Sequence, residues 1–266
     1  MNMKEEQPHK RADRSMQPAH EEGPAPARTP NQGWEEEAEH FAAWARTPGH
    51  DAYWYYSSAF FDFLPPPGKA TLEIGCGEGR VCRDLAARGH RVTGVDAAPT
   101  LVRLAQEADS TGMYIVADAA ALPFEAGTFD LAVAYNALMD IEDMPAAVRE
   151  AARVLEPGGR FCVCLTHPMA DAGAFVTEEA DAPFVITGSY LTRRWTEKTV
   201  ERNGLQMTFR SWAYPLEGYA RALETAGFLI EAIREPAATP SAVAARPGYA
   251  RWQRLPMFLH LRAVRR

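Results

Sequence analysis

The chain of 266 residues has no apolar run near the roughly 20 residues needed to cross a bilayer. Its start, Met1-Asn2-Met3-Lys4-Glu5-Glu6, lacks the apolar stretch of a secretion signal. A cytoplasmic location with no membrane partner is the expectation. Cysteine is scarce, and Cys76, Cys82, Cys162 and Cys164 are too few for a disulfide framework, so they are expected to be reduced and structural. From residue 1 to 33 there is no Leu, Ile, Val, Phe, Trp or Tyr, while Pro, Glu, Gln and Ala dominate. Such a segment cannot bury enough apolar surface to offset its ordering entropy. Residues 1–33 are therefore expected to be a disordered tail and 34–266 the folded domain. Excess positive charge is also lacking, because the formal charge is −7. The tail is neutral and residues 246–266 hold six arginines and no acid, which leaves −13 on residues 34–245. That acidic body lacks the basic stripe of a duplex-binding surface, so nucleic acid is not an expected partner. No trio of His, Cys, Asp or Glu has metal-ligand spacing, and no metal is expected.

What is present is an alternation of apolar runs and helical patterns. Residues 70–74, 91–95, 114–117, 129–135 and 161–166 read as buried strands. Residues 80–87 and 99–108 read as helices between them, with Pro99 at a first-turn position where its missing N–H costs nothing. Ala147, Val148, Ala151, Val154 and Leu155 recur at helical spacing before Pro157-Gly158-Gly159, which is expected to end that helix. Such alternation predicts an α/β fold with a parallel sheet and helices on both faces. It stops after His167 for about forty-five residues, and in that interval Asn203-Gly204 is a hairpin signal. Residues 215–225 then read as a helix, and 229–233 and 257–264 as the last strands.

The strand at 70–74 runs into Leu72-Glu73-Ile74-Gly75-Cys76-Gly77-Glu78-Gly79-Arg80. Glycines there permit positive φ and close approach of the backbone to a ligand. Asp96 ends the next strand about twenty residues on, where a carboxylate can accept from both hydroxyls of a ribose, and Asp118 follows the third strand. A dinucleotide needs its pyrophosphate on a helix N-terminus and the spacing G-x-G-x-x-G; here the spacing is G-x-G-x-G, with Glu73 just ahead. A carboxylate at that place repels a pyrophosphate and favours an ammonium. S-adenosylmethionine, which carries an ammonium, a ribose and an adenine but no phosphate, is the cofactor these charges select.

From residue 70 to 168 the chain resembles the class I S-adenosylmethionine-dependent methyltransferases of the broad small-molecule group. The likeness rests on the glycine loop, Gly94-Val95-Asp96, Ala117-Asp118-Ala119 with Leu122-Pro123-Phe124, Phe129-Asp130-Leu131, and Arg153-Val154-Leu155 before Pro157-Gly158-Gly159. It implies a Rossmann-like, mostly parallel seven-stranded sheet with the last strand antiparallel. It also implies roles: Glu73 and the loop Gly75, Cys76, Gly77 and Gly79 would hold the methionine end, and Asp96 with Ala97 the ribose. Asp118 and Ala119 would meet the adenine, and Tyr135 and Asn136 would form the floor below the sulfonium. Ala97-Ala98 departs from relatives that carry a hydroxyl or a larger apolar residue there. The Asn/Asp-Pro-Pro-aromatic run of many enzymes that methylate nucleobase or amide nitrogen is missing, because Tyr135-Asn136-Ala137-Leu138 stands in its place.

The expected activity is in-line transfer of a methyl group to a small organic acceptor by a monomer or a homodimer. A nicotinamide-dependent oxidoreductase and a non-catalytic cofactor-binding scaffold are the rivals. His167, at the carboxyl end of its strand, is the candidate general base; the alternative is that His167-Pro168 only terminates the strand. Asp140, Glu142 and Asp143 read as caps of the following helix. Aromatics at 53–56 and 60–63 supply core packing or cover the cofactor, with Tyr56 as a donor to the methionine carboxylate. The insertion at about 168–214, which carries Tyr190, Arg210, Trp212 and Tyr214, reads either as an acceptor pocket or lid or as a sheet-covering hairpin.

Overall fold

A computed structural model describes residues 29–266, so most of the expected tail lies outside the described residues. Helix α1 (Pro30–Arg46) opens with a reciprocal cap: Gln32 N–H donates to Thr29 Oγ1, and Thr29 N–H donates to Gln32 Oε1. Residues 30–33, expected in the tail, thus form the first turn of a helix. Counting large apolar residues overlooked the start signal in Thr29-Pro30-Asn31-Gln32. A turn leads from α1 into the aromatic helix α2 (Tyr53–Phe61).

The alternating segment folds as β1 (Thr71–Ile74), α3 (Arg80–Ala87), β2 (Val92–Asp96), α4 (Pro99–Ala108), β3 (Met113–Val116), β4 (Phe129–Tyr135), α5 (Met144–Val154) and β5 (Leu155–Thr166). β5 begins at Leu155, earlier than expected, because Leu155 pairs with Phe129 ahead of Pro157-Gly158-Gly159, and the register shifts between Phe129 and Leu131. The insertion contributes α6 (Pro168–Asp171), β6 (Gly173–Phe175), β7 (Phe184–Ile186), β8 (Arg194–Arg202) and β9 (Leu205–Ala213). α7 (Leu216–Thr225), β10 (Phe228–Arg234), α8 (Pro240–Ala245) and β11 (Phe258–Arg265) complete the chain. The main sheet has the order β10-β11-β5-β4-β1-β2-β3, with β11 antiparallel to both neighbours and the β1–β5 pairs parallel. That is the expected seven-stranded sheet with an antiparallel last strand.

Both faces are covered. On one, Ala147, Val148 and Ala151 of α5 and Tyr219 and Leu223 of α7 join the sheet core; on the other, Tyr53, Tyr56 and Phe60 of α2 and Leu85 of α3 do so. Each fully buried large side chain of this kind contributes about 1.5–3 kcal/mol. Strand order reverses between β1 and β4, and a crevice forms beyond the carboxyl ends of strands at such a switch point. The β8–β9 hairpin turns at Asn203 (φ 51°) and Gly204 (φ 77°), both in the left-handed region that a two-residue primed turn requires. It folds back onto α1, where Phe209 meets Trp44 at 5.8 Å between ring centroids and Arg210 faces Glu37 at 3.6 Å. Among the described residues no helix is long and apolar enough to cross a membrane.

Candidate functional site

The glycine loop turns on the backbone of three residues, Gly75, Gly77 and Gly79, at φ 72°, 56° and 84°. A Cβ on Gly75 would lie 2.5 Å from the Ala137 Cβ, so only glycine lets the ends of β1 and β4 approach this closely. Gly75 and Cys76 N–H both donate to the Val95 carbonyl, at 2.8 and 2.9 Å, which fastens the loop to β2. Asp96 stands at the end of β2, and its Oδ2 accepts from Gly77 N–H at 2.8 Å and its Oδ1 from Ala98 N–H at 2.9 Å. The partly exposed Ala97 lies between them. The first acid and the loop are therefore one hydrogen-bonded unit.

Glu73 is the second acid. It is 1% exposed, and its Oε2 has no hydrogen-bond partner. Burial pushes its carboxyl up to about 8, and the nearby Asp96 carboxylate adds to the rise while the Cys82 thiol opposes it. A carboxyl in this state is mostly protonated at neutral pH, and an arriving ammonium would stabilise the ionised form. The residues thus fit a ligand with a cationic amine and a ribose. Burial likewise holds the Asp96 carboxyl above its ordinary range, against the pull of its backbone donors.

Asp118 and Ala119 follow β3, which lies beside β2 with Val116 opposite Asp96. Asp118 is exposed, its Oδ1 taking the Ala120 N–H at 2.9 Å, and Ala119 is buried in the sheet core. Tyr135 ends β4, its ring buried against Tyr53 (5.3 Å) and Phe60 (5.1 Å). Asn136 follows at φ 51°, rare outside glycine, with its N–H donating to the Cys164 carbonyl at 2.8 Å. Tyr56 packs instead toward β11, with its ring 5.1 Å from Phe258 and 6.1 Å from Tyr249, and its buried hydroxyl is without a partner. Tyr53, one turn earlier, is the α2 aromatic that meets both Tyr135 and the Arg80 guanidinium, the latter 4.1 Å above its ring.

His167 has a structural occupation. Its Nδ1 accepts from Met169 N–H at 3.1 Å at the start of α6, and its Nε2 lies 2.9 Å from Glu235 Oε1. With Nδ1 accepting, Nε2 carries the proton, and neither nitrogen is left to take one from an acceptor. His167→Ala is accordingly expected to remove about 1–2 kcal/mol of stability and lower Tm by roughly 2–8 °C while the pH profile of transfer stays unchanged. A selective loss of turnover with unchanged Tm would restore the base role. Of the three acids read as caps, Asp143 caps α5 by accepting from Ala146 N–H at 2.9 Å. Asp140 sits in a 3-10 turn and is hydrogen-bonded by Trp34. Burial and the neighbouring Asp171 and Asp96 charges push its carboxyl well above the usual range.

In the insertion, Tyr190 OH accepts from Leu216 N–H at 3.0 Å at the start of α7. Trp212 is buried 5.0 Å from Trp195, Tyr214 lies 5.4 Å from Tyr219, and Arg210 sits between Glu37 and Glu197. Sequence reasoning missed the roof over the loop. Phe41 of α1 lies so close to Gly77 that a Cβ there would be 3.1 Å from its ring. Arg46 joins Glu78 at 2.8 Å, and Ala38 packs with Ala98 and Leu101. Ala38, Phe41, Ala42 and Ala45 keep helical spacing, a signal that could have shown it. Among the described residues no group of His, Cys, Asp or Glu is placed to hold a metal.

Together these features define a doubly wound α/β protein whose sheet edge suits a phosphate-free nucleoside carrying an amine. Residues 72–163 match the family described as "Methyltransferase domain". A solved S-adenosylmethionine dependent methyltransferase from Mesorhizobium loti is similar over 81% of this chain and 98% of its own, at 28% identity and a TM-score of 0.63. A 2-methyl-6-phytyl-1,4-hydroquinone methyltransferase of Synechocystis is 33% identical over 62% of this chain and 48% of its own length. A ubiquinone biosynthesis O-methyltransferase of Xanthomonas axonopodis pv. citri is 32% identical over 48% of this chain and 56% of its own. The chain thus spans about half the length of these two curated relatives. Residues 72–163 thus resemble the class I S-adenosylmethionine-dependent methyltransferases in sequence, and most of the chain resembles one of them in fold.

Proposed function

We propose that the protein is a cytoplasmic enzyme, monomeric or homodimeric, that transfers a methyl group from S-adenosylmethionine to a small organic acceptor by in-line displacement. The observation that carries the proposal is the pair Glu73 and Asp96 on adjacent strands about a loop of positive-φ glycines, with Glu73 buried and unpartnered at Oε2. The bound cofactor supplies a methyl group already activated by a positive sulfur. The chain's own work is to bind, orient and exclude water, and proximity supplies much of the rate. Glu73 would neutralise the ammonium, Asp96 would accept from the ribose hydroxyls, Asp118 and the Ala119 backbone would meet the adenine, and Tyr135 and Asn136 would shape the floor. α1 roofs the glycine loop and the insertion hairpin packs on α1, and an acceptor would lie beside them. The acidic body speaks against nucleic acid as that acceptor.

The test is a labelled-methyl screen across phenols, amines and aromatic acids. The expected result is transfer to at least one acceptor, inhibited by S-adenosylhomocysteine. Cofactor binding without transfer to any acceptor would favour a scaffold role instead.

A further inference from the structure

Glu73 shares its place in the fold with a pair of thiols. In the sheet it stands beside Gly94 of β2 in parallel register, so the two positions share one face. A Cβ on Gly94 would lie 2.7 Å from Cys82 Sγ, 2.9 Å from Cys76 Cβ and 3.0 Å from Cys76 Sγ. Glycine therefore opens a slot beside Glu73, and both cysteines occupy it. Cys82, in the first turn of α3, is 4% exposed and packs there with Cys76, Val102, Ala105 and Tyr114.

The Cys82 thiol is hydrogen-bonded to the Glu73 carboxyl. Burial, together with the bond to Cys76 and the Glu73 charge, holds this thiol well above its ordinary range, so at neutral pH it keeps its proton and donates. Its two acceptors are unequal. Cys76 Sγ is a weak one, its own S–H directed at the Gly77 carbonyl at 3.8 Å, whereas an ionised carboxylate draws the stronger, charge-assisted bond. The other ionisable groups facing Glu73 are bound elsewhere. Arg80 holds Asp51 at 2.7 Å, Glu78 takes Arg46 at 2.8 Å and Arg83 at 2.9 Å, Tyr53 donates to Asp84, and Asp96 accepts from Gly77 and Ala98 N–H. Cys82 is thus the neighbour placed to respond when Glu73 ionises.

We propose that Cys82 is a positioning residue for the cofactor's amine, its S–H holding one oxygen of the Glu73 carboxylate and leaving the other for the ammonium. Oε2, buried and unpartnered, is the oxygen left for the ligand. Because the thiol donates more strongly to the charged form of Glu73 than to the neutral one, it also eases the ionisation that the arriving ammonium demands. Gly94 is part of the device, since any side chain there would drive Cys82 Sγ out of the slot. The inference rests on the methyltransferase reading above and adds to it the group that prepares Glu73.

Calorimetric titration of the full chain with S-adenosylhomocysteine at pH 7 and at pH 9 tests this. Cys82→Ala is expected to weaken binding roughly tenfold at pH 7 and only about twofold at pH 9, where the carboxylate forms more readily in either protein. The ligand's own amine titrates alike against both proteins and cancels in the ratio. Cys82→Ser, which restores a donor, should bind within about threefold of the wild type at both pH values. In a Glu73→Gln background, which has no carboxylate to ionise, Cys82→Ala should change the Kd by less than about twofold. Cys82→Val, which fills the slot without a donor, replaces the alanine variant if that one fails to fold. The proposal fails if the loss is the same at both pH values, if the serine variant binds as weakly as the alanine variant, or if the loss persists in the Glu73→Gln background. A wild type that binds no S-adenosylhomocysteine at either pH would instead overturn the methyltransferase reading itself.

Discussion

Glu73→Gln is expected to weaken S-adenosylhomocysteine roughly tenfold to a hundredfold while making the cofactor-free protein more stable. The first effect follows from losing a charge-assisted hydrogen bond to the ligand ammonium, about 1.5–3 kcal/mol. The second follows from burial, because a neutral amide escapes the cost of holding a charge in an apolar site. With its carboxyl pushed up to about 8, Glu73 binds a proton more tightly folded than unfolded. Its contribution to stability is complete below the ordinary carboxyl range and is lost as pH rises through about 8. The Tm advantage of Glu73→Gln should therefore grow from pH 5 to pH 8.5, by the equivalent of roughly 3–4 kcal/mol. Cofactor binding to the wild type at pH 7 should also release about one proton, as its carboxyl ionises beside the ammonium, and the variant should release none. Calorimetry in two buffers of different ionisation enthalpy reads this directly; equal proton release by both proteins would sever Glu73 from the ligand.

Asp96→Ala is expected to raise the S-adenosylhomocysteine Kd by roughly 100-fold, about 2.7 kcal/mol, through loss of the two ribose contacts. It should also lower Tm, because Asp96 accepts from both Gly77 and Ala98 N–H and the variant leaves the Gly77 donor alone inside a left-handed turn. A loss of about 1–2 kcal/mol there corresponds to roughly 2–8 °C. Asp96→Asn, which keeps one acceptor oxygen and sets its amide nitrogen against the other backbone N–H, should recover only part of the Tm and part of the affinity. If Asp96→Ala loses stability but binds normally, the carboxylate serves the loop alone.

The parts of the molecule legible in the sequence are those set by local backbone demands. Glycines 75, 77 and 79 announced left-handed turns, Asn203-Gly204 announced its hairpin, and apolar runs of strand length marked the sheet. α1 escaped notice because its buried face is built largely from alanines, whose small apolar area gives little contrast against Glu35, Glu36, Glu37 and Glu39. Its burial depends on Leu101 and Ala98, which lie far along the chain. His167 looked available because nothing local to it reveals Glu235, 68 residues on, as the partner of its Nε2. The hydrogen bonds to the His50 carbonyl are harder still: Arg202 and Arg246 donate to it across 152 and 196 residues of sequence. Long-range contacts of that kind are written in the fold, not in the spacing of residues.

The central claim is that acidic groups at the tips of neighbouring strands hold an amine-bearing nucleoside without phosphate. Parallel calorimetric titrations of the wild type with S-adenosylhomocysteine and with NADH test it most directly. Saturable one-site binding of the first and no heat from the second is the expected result; tight NADH binding, or no response to S-adenosylhomocysteine, would contradict it.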